Sequence, residues 1–284
     1  MLLKTLFVAA FGASTAVAGV SQRAIPGRFG CGTAEPSAEH IGMSKVLAAQ
    51  EAKAADSGDL AARATINVGV YFHVVARSQT VAGGYLTDKM LSDQLAVLNK
   101  DFAPYNVAFN LLGTDRTVNT GWSADSNEIA MKQSLRKGTY SNLNIYFQSA
   151  LKDDALGYAY LPTSVSSGST AFYRDGVSLD AQTVPGGSYT RFNLGKTATH
   201  EVGHWMGLYH TFQGGCTGSG DLVSDTPAQA NATSGCPTGR DSCPTVAGLD
   251  PIHNYMDYSD DSCYVEFSAG QSTRMTSFWN TYRG

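Results

Sequence analysis

The stretch HEVGHWMGLYH, residues 200–210, puts three histidines and a glutamate within eleven positions. The other 273 of the chain's 284 residues hold only three more histidines. A four-residue spacing places His200 and His204 on one face of a helix, about one turn apart. Their ring nitrogens can then meet at one point, about 2.0–2.1 Å from a zinc ion. Glu201 is rotated by about 100° from His200, so it borders that point without having to ligate it. Gly207 can take a left-handed turn at little cost and end the helix, which lets His210 approach from another side. Three neutral imidazoles leave a fourth position for water, as in catalytic rather than structural zinc sites. Bound zinc lowers the pKa of its water toward about 7. A carboxylate beside that water can take its proton and pass it to a leaving amine. Glu201 is the only acid in this helix. A constellation of this kind arises by chance in on the order of one chain in 10⁵.

Such a helix needs a sheet to pack on, and the chain supplies one. INVGVYFHVVA (66–76) alternates and is β-branched, the pattern of a strand. Residues 86–105 carry Met90, Leu91, Leu95, Leu98 and Phe102 at helical spacing, with Thr87 as N-cap and Pro104 as terminator. Further strands are expected at 107–113, 142–150, 157–162 and 176–184, and helices at 127–137, 194–208 and 268–282. Strands alternating with helices argue for an α/β fold with a mixed, mostly parallel sheet and backing helices. The short fourth strand is a candidate edge. Between the histidine helix and the last helix lie some sixty residues rich in Gly, Ser, Thr, Pro and Cys, expected to be irregular and held by disulfides.

The N-terminus reads as an address. Lys4, an apolar run from Leu6 to Ala13 and the small residues Ala16-Val17-Ala18 make residues 1–18 a secretory signal peptide. No stretch is long enough to span a bilayer. Residues 19–63, first Gly/Pro/Arg-rich and then Ala-rich and helix-prone, read as a pro-segment. The packed catalytic domain is 64–284, with an upper part, 64–210, and a lower part, 211–284. The net charge of −4 offers no basic footprint for nucleic acid. Four of five cysteines, Cys216, Cys236, Cys243 and Cys263, crowd the last third, as suits an oxidising, extracellular compartment. Four cysteines allow three pairings, and spacing does not choose among them. Asn231-Ala232-Thr233 is a glycosylation sequon in the same region.

H-E-x-x-H-x-x-G-x-x-H is the zinc motif of the metzincins. With NYMDY (254–258), DTPAQ (225–229) and THEVGHWMGLYHTF, the chain resembles their pappalysin branch, and within it secreted fungal and microbial extracellular metalloproteases. The resemblance covers about residues 66–284. It implies a zincin fold and a secreted, monomeric zinc endopeptidase made as a zymogen and acting on extracellular proteins. His200, His204 and His210 match the zinc ligands and Glu201 the general base. Met256 matches the methionine of a tight turn beneath the metal, and Tyr258 a tyrosine that steadies the oxyanion. The resemblance implies the pairs Cys216–Cys243 and Cys236–Cys263. It likens Cys31, in GCGT, to a cysteine switch whose thiolate can occupy the water position. It also implies calcium in the loop holding Asp221, Asp225 and Thr226. One class of relatives prefers basic residues after the cut. Here Ser262 rather than an acid precedes Cys263, which puts that preference in doubt. His40, His73 and His253 are read as structural or exposed. Two rivals remain: a non-catalytic binding protein on a zincin scaffold, against which the intact Glu201 argues, and a non-peptidase zinc hydrolase, against which Met256 and the third histidine argue.

Overall fold

The computed structural model describes residues 30–57 and 64–284. The signal peptide read at 1–18, and positions 19–29 and 58–63 of the pro-segment, lie outside the described residues.

β1 (Ile66–Ala76) is the backbone of the sheet. It pairs in parallel with β2 (Val107–Val118) on one side and β3 (Leu143–Gln148) on the other. β3 pairs in parallel with β5 (Val177–Asp180). β4 (Gly157–Ala159) closes the far edge antiparallel to β5. The order is β2-β1-β3-β5-β4. The sheet is therefore mixed and mostly parallel, with the short strand at its edge.

One face of β1, carrying Val68, Val70, Phe72 and Val74, is covered by two helices. They are α2 (Asp88–Phe102), which contributes Leu91, Leu98 and Phe102, and α5 (Lys196–Trp205), which contributes Ala198, Val202 and Trp205. Thr87 caps α2 by accepting from the Met90 amide. The other face is smaller: Val75 and Tyr146 pack on Met131 of α3 (Glu128–Leu135). β2 runs five residues past its expected end at 113. After a register shift between Val70 and Tyr71 its polar stretch Thr114–Thr117 stays paired with β1. A one-turn helix α4 (Thr170–Arg174), capped by Ser169, has no counterpart among the expected elements.

The region after α5 is irregular as far as α6 (Ala269–Tyr282), whose start carries a Ser268/Gln271 capping box. Disulfides join Cys216 to Cys243 and Cys236 to Cys263, and Cys31 is free. Outside this body, α1 (Ala38–Asp56) lies against α6. Its attachment uses few large apolar groups. His40, Ser44 and Leu47 are its buried residues, and Glu51 makes a two-pronged ion pair with Arg274.

Candidate metal centre

α5 carries His200, Glu201 and His204 into the interior, where all three are at most 5% exposed. The helix stops at Gly207, which sits at φ +100°, where an added Cβ would lie 2.2 Å from the Phe278 ring. No other residue type fits that bend. The turn delivers His210 to the same point. The Nε2 atoms of His200 and His204 are 3.2 Å apart, and those of His204 and His210 are 3.0 Å apart. A tetrahedral zinc ion with bonds of 2.0–2.1 Å needs its ligand atoms about 3.3–3.4 Å apart.

The far side of two rings is spoken for. Nδ1 of His200 donates to the Tyr255 carbonyl at 2.7 Å, and Nδ1 of His204 to the Leu208 carbonyl at 2.8 Å. Those bonds fix the tautomer, so both Nε2 atoms present lone pairs. Burial pushes His200 down to about 4, and lowers His204 and His210 as well, which keeps the rings neutral. Neutral rings with lone pairs converging at 3 Å repel one another unless they share a cation. The donor set thus fits a divalent ion of the zinc type.

Around this point stand the other residues singled out in the sequence. Met256 is fully buried beneath α5, with its sulfur against Gly203. The Tyr258 ring lies 5.6 Å from that of His200 and 5.0 Å from that of His210, centroid to centroid. Glu201 is fully buried, which raises its carboxyl to about 8, and its Oε1 has no hydrogen-bond partner. Cys31 joins the group. Its sulfur and the histidine ligand atoms all fall within 4.8 Å of one another, and the thiol donates to Glu201 Oε2 at 3.3 Å.

Three contributors escaped the sequence reading. Thr33 donates to Glu201 Oε2 at 2.9 Å while its hydroxyl oxygen accepts from the Ala159 amide at 2.8 Å. Gly157 lets β4 approach Glu201: a Cβ there would lie 2.7 Å from Glu201 Cγ. A glycine opening a strand is the signal that could have marked it. Asp101, on α2, holds the start of α5 by accepting from Lys196 Nζ at 2.6 Å and Thr199 Oγ1 at 2.7 Å.

The segment Gly30–Thr33 runs parallel along β4. The Leu156 amide donates to Gly30 O at 2.9 Å, and the Gly32 amide donates to Gly157 O at 2.8 Å. Gly30 and Cys31 also close a pocket beside Glu201, lined further by Leu156, Phe192, Asp261 and Tyr264. His73 and His253 stand elsewhere: His73 meets Asp115 and Asn144, and His253 donates to the Cys263 carbonyl.

The family model of the M43 peptidases, described as "Pregnancy-associated plasma protein-A", matches residues 127–280, which span the histidine helix and Met256. An extracellular metalloprotease of Verticillium alfalfae is 74% identical over 284 residues, covering 100% of both chains. The chain belongs to the M43, or pappalysin, metallopeptidases. As an M43 peptidase it is a metalloendopeptidase acting on proteins or peptides. An extracellular metalloprotease of Neurospora crassa is 59% identical over 285 residues, covering 100% of this chain and 98% of that one. The metzincin fold is shared with mature mirolysin of Tannerella forsythia, solved in complex with a cleaved peptide. That structure has a TM-score of 0.64 and 30% identity, covering 78% of this chain and 93% of that one. Among the described residues of this M43 peptidase, no helix is long and apolar enough to cross a membrane.

Proposed function

We propose that this M43 peptidase is a secreted, monomeric zinc endopeptidase held latent by its own N-terminal segment. The observation that carries the reading is the convergence of three Nε2 atoms at about 3 Å beside a buried carboxylate. His200, His204 and His210 would hold the zinc ion. When bound, it supplies Lewis acidity toward a scissile carbonyl and lowers the pKa of water to about 7. Glu201 takes the proton of the attacking water and hands it to the departing amine nitrogen. Its burial supports this role, because a carboxylate shielded from solvent holds a proton more readily than an exposed one. Tyr258, whose hydroxyl donates to the Cys31 carbonyl at 3.4 Å while the segment is in place, donates to the oxyanion as charge develops once the segment has gone. Met256 serves as an apolar floor and not as a ligand. Substrate lies extended along β4, adding a strand to the sheet edge.

Residues 19–63 act as the pro-segment of the catalytic domain 64–284, after removal of the signal peptide 1–18. Cys31 brings its thiol to Glu201 and the histidines, while its backbone carbonyl accepts from the Tyr258 hydroxyl at 3.4 Å. Asn231 is the proposed glycan site. Calcium is proposed at Asp221, whose buried Oδ2 has no partner and whose Oδ1 accepts from Thr226 and the Val223 amide. Asp225 in the same loop is engaged by Ser268 and the Gly270 amide at the start of α6.

The test is casein digestion by the processed enzyme with and without o-phenanthroline, and by Glu201→Ala. Loss of digestion with chelator, recovery on adding zinc, and inactivity of Glu201→Ala are expected. Digestion that survives both the chelator and the substitution overturns the reading. Zinc binding without any digestion would favour the binding-protein alternative.

A further inference from the structure

We propose that His40 makes the docking of α1 dependent on pH, so that the N-terminal segment releases as the medium turns acid. His40 lies in the first turn of α1 and is 6% exposed. Its ring stacks on Phe278 of α6, with centroids 4.7 Å apart and planes 13° from parallel. Nδ1 is 2.6 Å from the Tyr209 hydroxyl, which also lies 2.8 Å from Ser44 Oγ. The simplest network has Ser44 donating to the Tyr209 oxygen and Tyr209 donating to a neutral Nδ1. Nε2 is buried and finds no partner of good hydrogen-bond geometry.

A second proton would sit on Nδ1 and reverse the chain, with Nδ1 donating to Tyr209 and Tyr209 to Ser44. The hydrogen bonds survive that reversal, and the cost lies in burying the charge. The proton would put a cation among Phe278, Tyr209 and Arg274. Arg274 is the charged group that α6 turns toward His40. Glu51 of α1 pairs with Arg274 at 2.9 Å and the Leu222 carbonyl accepts from it at 2.7 Å. From α1 itself, Glu39, the residue before His40, is exposed and acts on Tyr282 of α6. The Pro162 carbonyl, in the loop after β4, favours the cation but is outweighed. Burial first, and Arg274 second, push His40 down to about 4.

The sign follows from linkage. An undocked His40 titrates near 6.5. A docked one holds its proton less well, so docking is strongest above about 6.5 and weakens as pH falls toward 4. With those two values the docking constant falls about thirtyfold between pH 8 and pH 5. α1 is joined to the Cys31 segment by four residues, Ala34–Ser37, so its release loosens the strand that covers Glu201.

This inference rests on the proposed inhibitory role of the segment, but its test does not need activity. The full chain carrying Glu201→Gln, which prevents self-cleavage, is followed by hydrogen exchange from pH 8 to pH 5, with rates corrected for intrinsic exchange. The amides of α1 should lose about thirtyfold in protection while those of β1 and α2 hold. His40→Asn keeps an acceptor near Nδ1, and His40→Phe keeps the stack; neither can take the proton, and in both the pH slope should vanish whatever the starting level. NMR of the same full chain should show His40 titrating well below 6.5. A docked His40 that titrates near 6.5, or an α1 slope unchanged in both variants, overturns the proposal. If the slope is found but the segment proves not to inhibit, the pH-dependent docking stands and the inhibitory reading alone fails.

Discussion

Replacing Gly157 by alanine tests whether the fit between the edge strand and Glu201, the proposed base, matters to turnover. The new Cβ would lie 2.7 Å from Glu201 Cγ, 3.0 Å from Leu179 Cδ2 and 3.1 Å from Glu201 Oε1. Carbon atoms in ordinary contact are at least 3.4 Å apart, so one partner must yield by about 0.7 Å. β4 has little freedom, because all three of its residues pair with β5. Glu201 is fully buried on a helix whose neighbours on either side are metal-site histidine and core valine, so it cannot swing to solvent. Overpacking of this kind costs about 1–3 kcal/mol of stability. A base displaced by close to 1 Å costs up to about 100-fold in rate. The processed variant should therefore show kcat lowered by about 30- to 100-fold, KM changed by less than about threefold, and full zinc content, since no ligand is touched. The clash also predicts coupling. Glu201→Asp withdraws the carboxylate by one methylene, so adding Gly157→Ala to it should cost much less than the single substitution does. A Gly157→Ala enzyme with unchanged kcat, or one whose loss tracks missing zinc, refutes the reasoning.

Cys31→Ala should raise casein cleavage by the unprocessed chain part-way toward that of the processed enzyme, because the thiol no longer reaches the histidine cluster although the backbone of Gly30–Thr33 still pairs with β4; unchanged latency in that variant ends the switch idea. Each disulfide closes a loop of sequence separation 27, so the chain-entropy estimate is the same for both, about 3.5 kcal/mol. Replacing either pair by serine should lower Tm by roughly 7–14 °C. Only loss of Cys236–Cys263 should also slow turnover, since Cys263 adjoins the pocket residue Tyr264; equal activity of the two variants contradicts this. Burial raises the Asp180 carboxyl to about 6 from an ordinary 3.8. Its folded pKa is the higher one, so its contribution is fully present below 3.8 and is lost as pH rises through 6. Asp180→Asn, which keeps an acceptor for the Gln182 amide, should gain up to about 3 kcal/mol at pH 8 and nothing at pH 3.5. Urea midpoints at the two pH values check it, and a variant no more stable at pH 8 rules it out.

What could be read from the sequence was local. β1 announces itself by alternation, α2 by its apolar spacing and Thr87, and the metal cluster by lying within one helix and one turn. β2 outran its expected end because Thr114–Thr117 carry no apolar period; their strand character comes from pairing with β1 alone. The Ala-rich, helix-prone sequence of α1 shows few large apolar residues by which it could be anchored. Its anchor is polar and distant: His40 and Ser44 on Tyr209, and Glu51 on Arg274. Asp101, Thr33 and Gly157 were missed for the same reason, since each acts on a residue 44 or more positions away in the chain.

Gly30–Thr33, the strand of the proposed inhibitory segment, occupies the edge of β4. The Gly157 carbonyl accepts from Gly32, and the Ala159 amide donates to Thr33. These are backbone groups at the sheet edge that an added substrate strand would need. The three histidines, Glu201 and Met256 already stand in their converged arrangement with the segment in place. Latency of the proposed kind would block a finished cleft and leave no catalytic group to be assembled on activation. Removal of the segment should then expose activity without a slow refolding phase. A lag that persists after the segment has been fully cleaved and washed away would mean that the cleft rearranges after all.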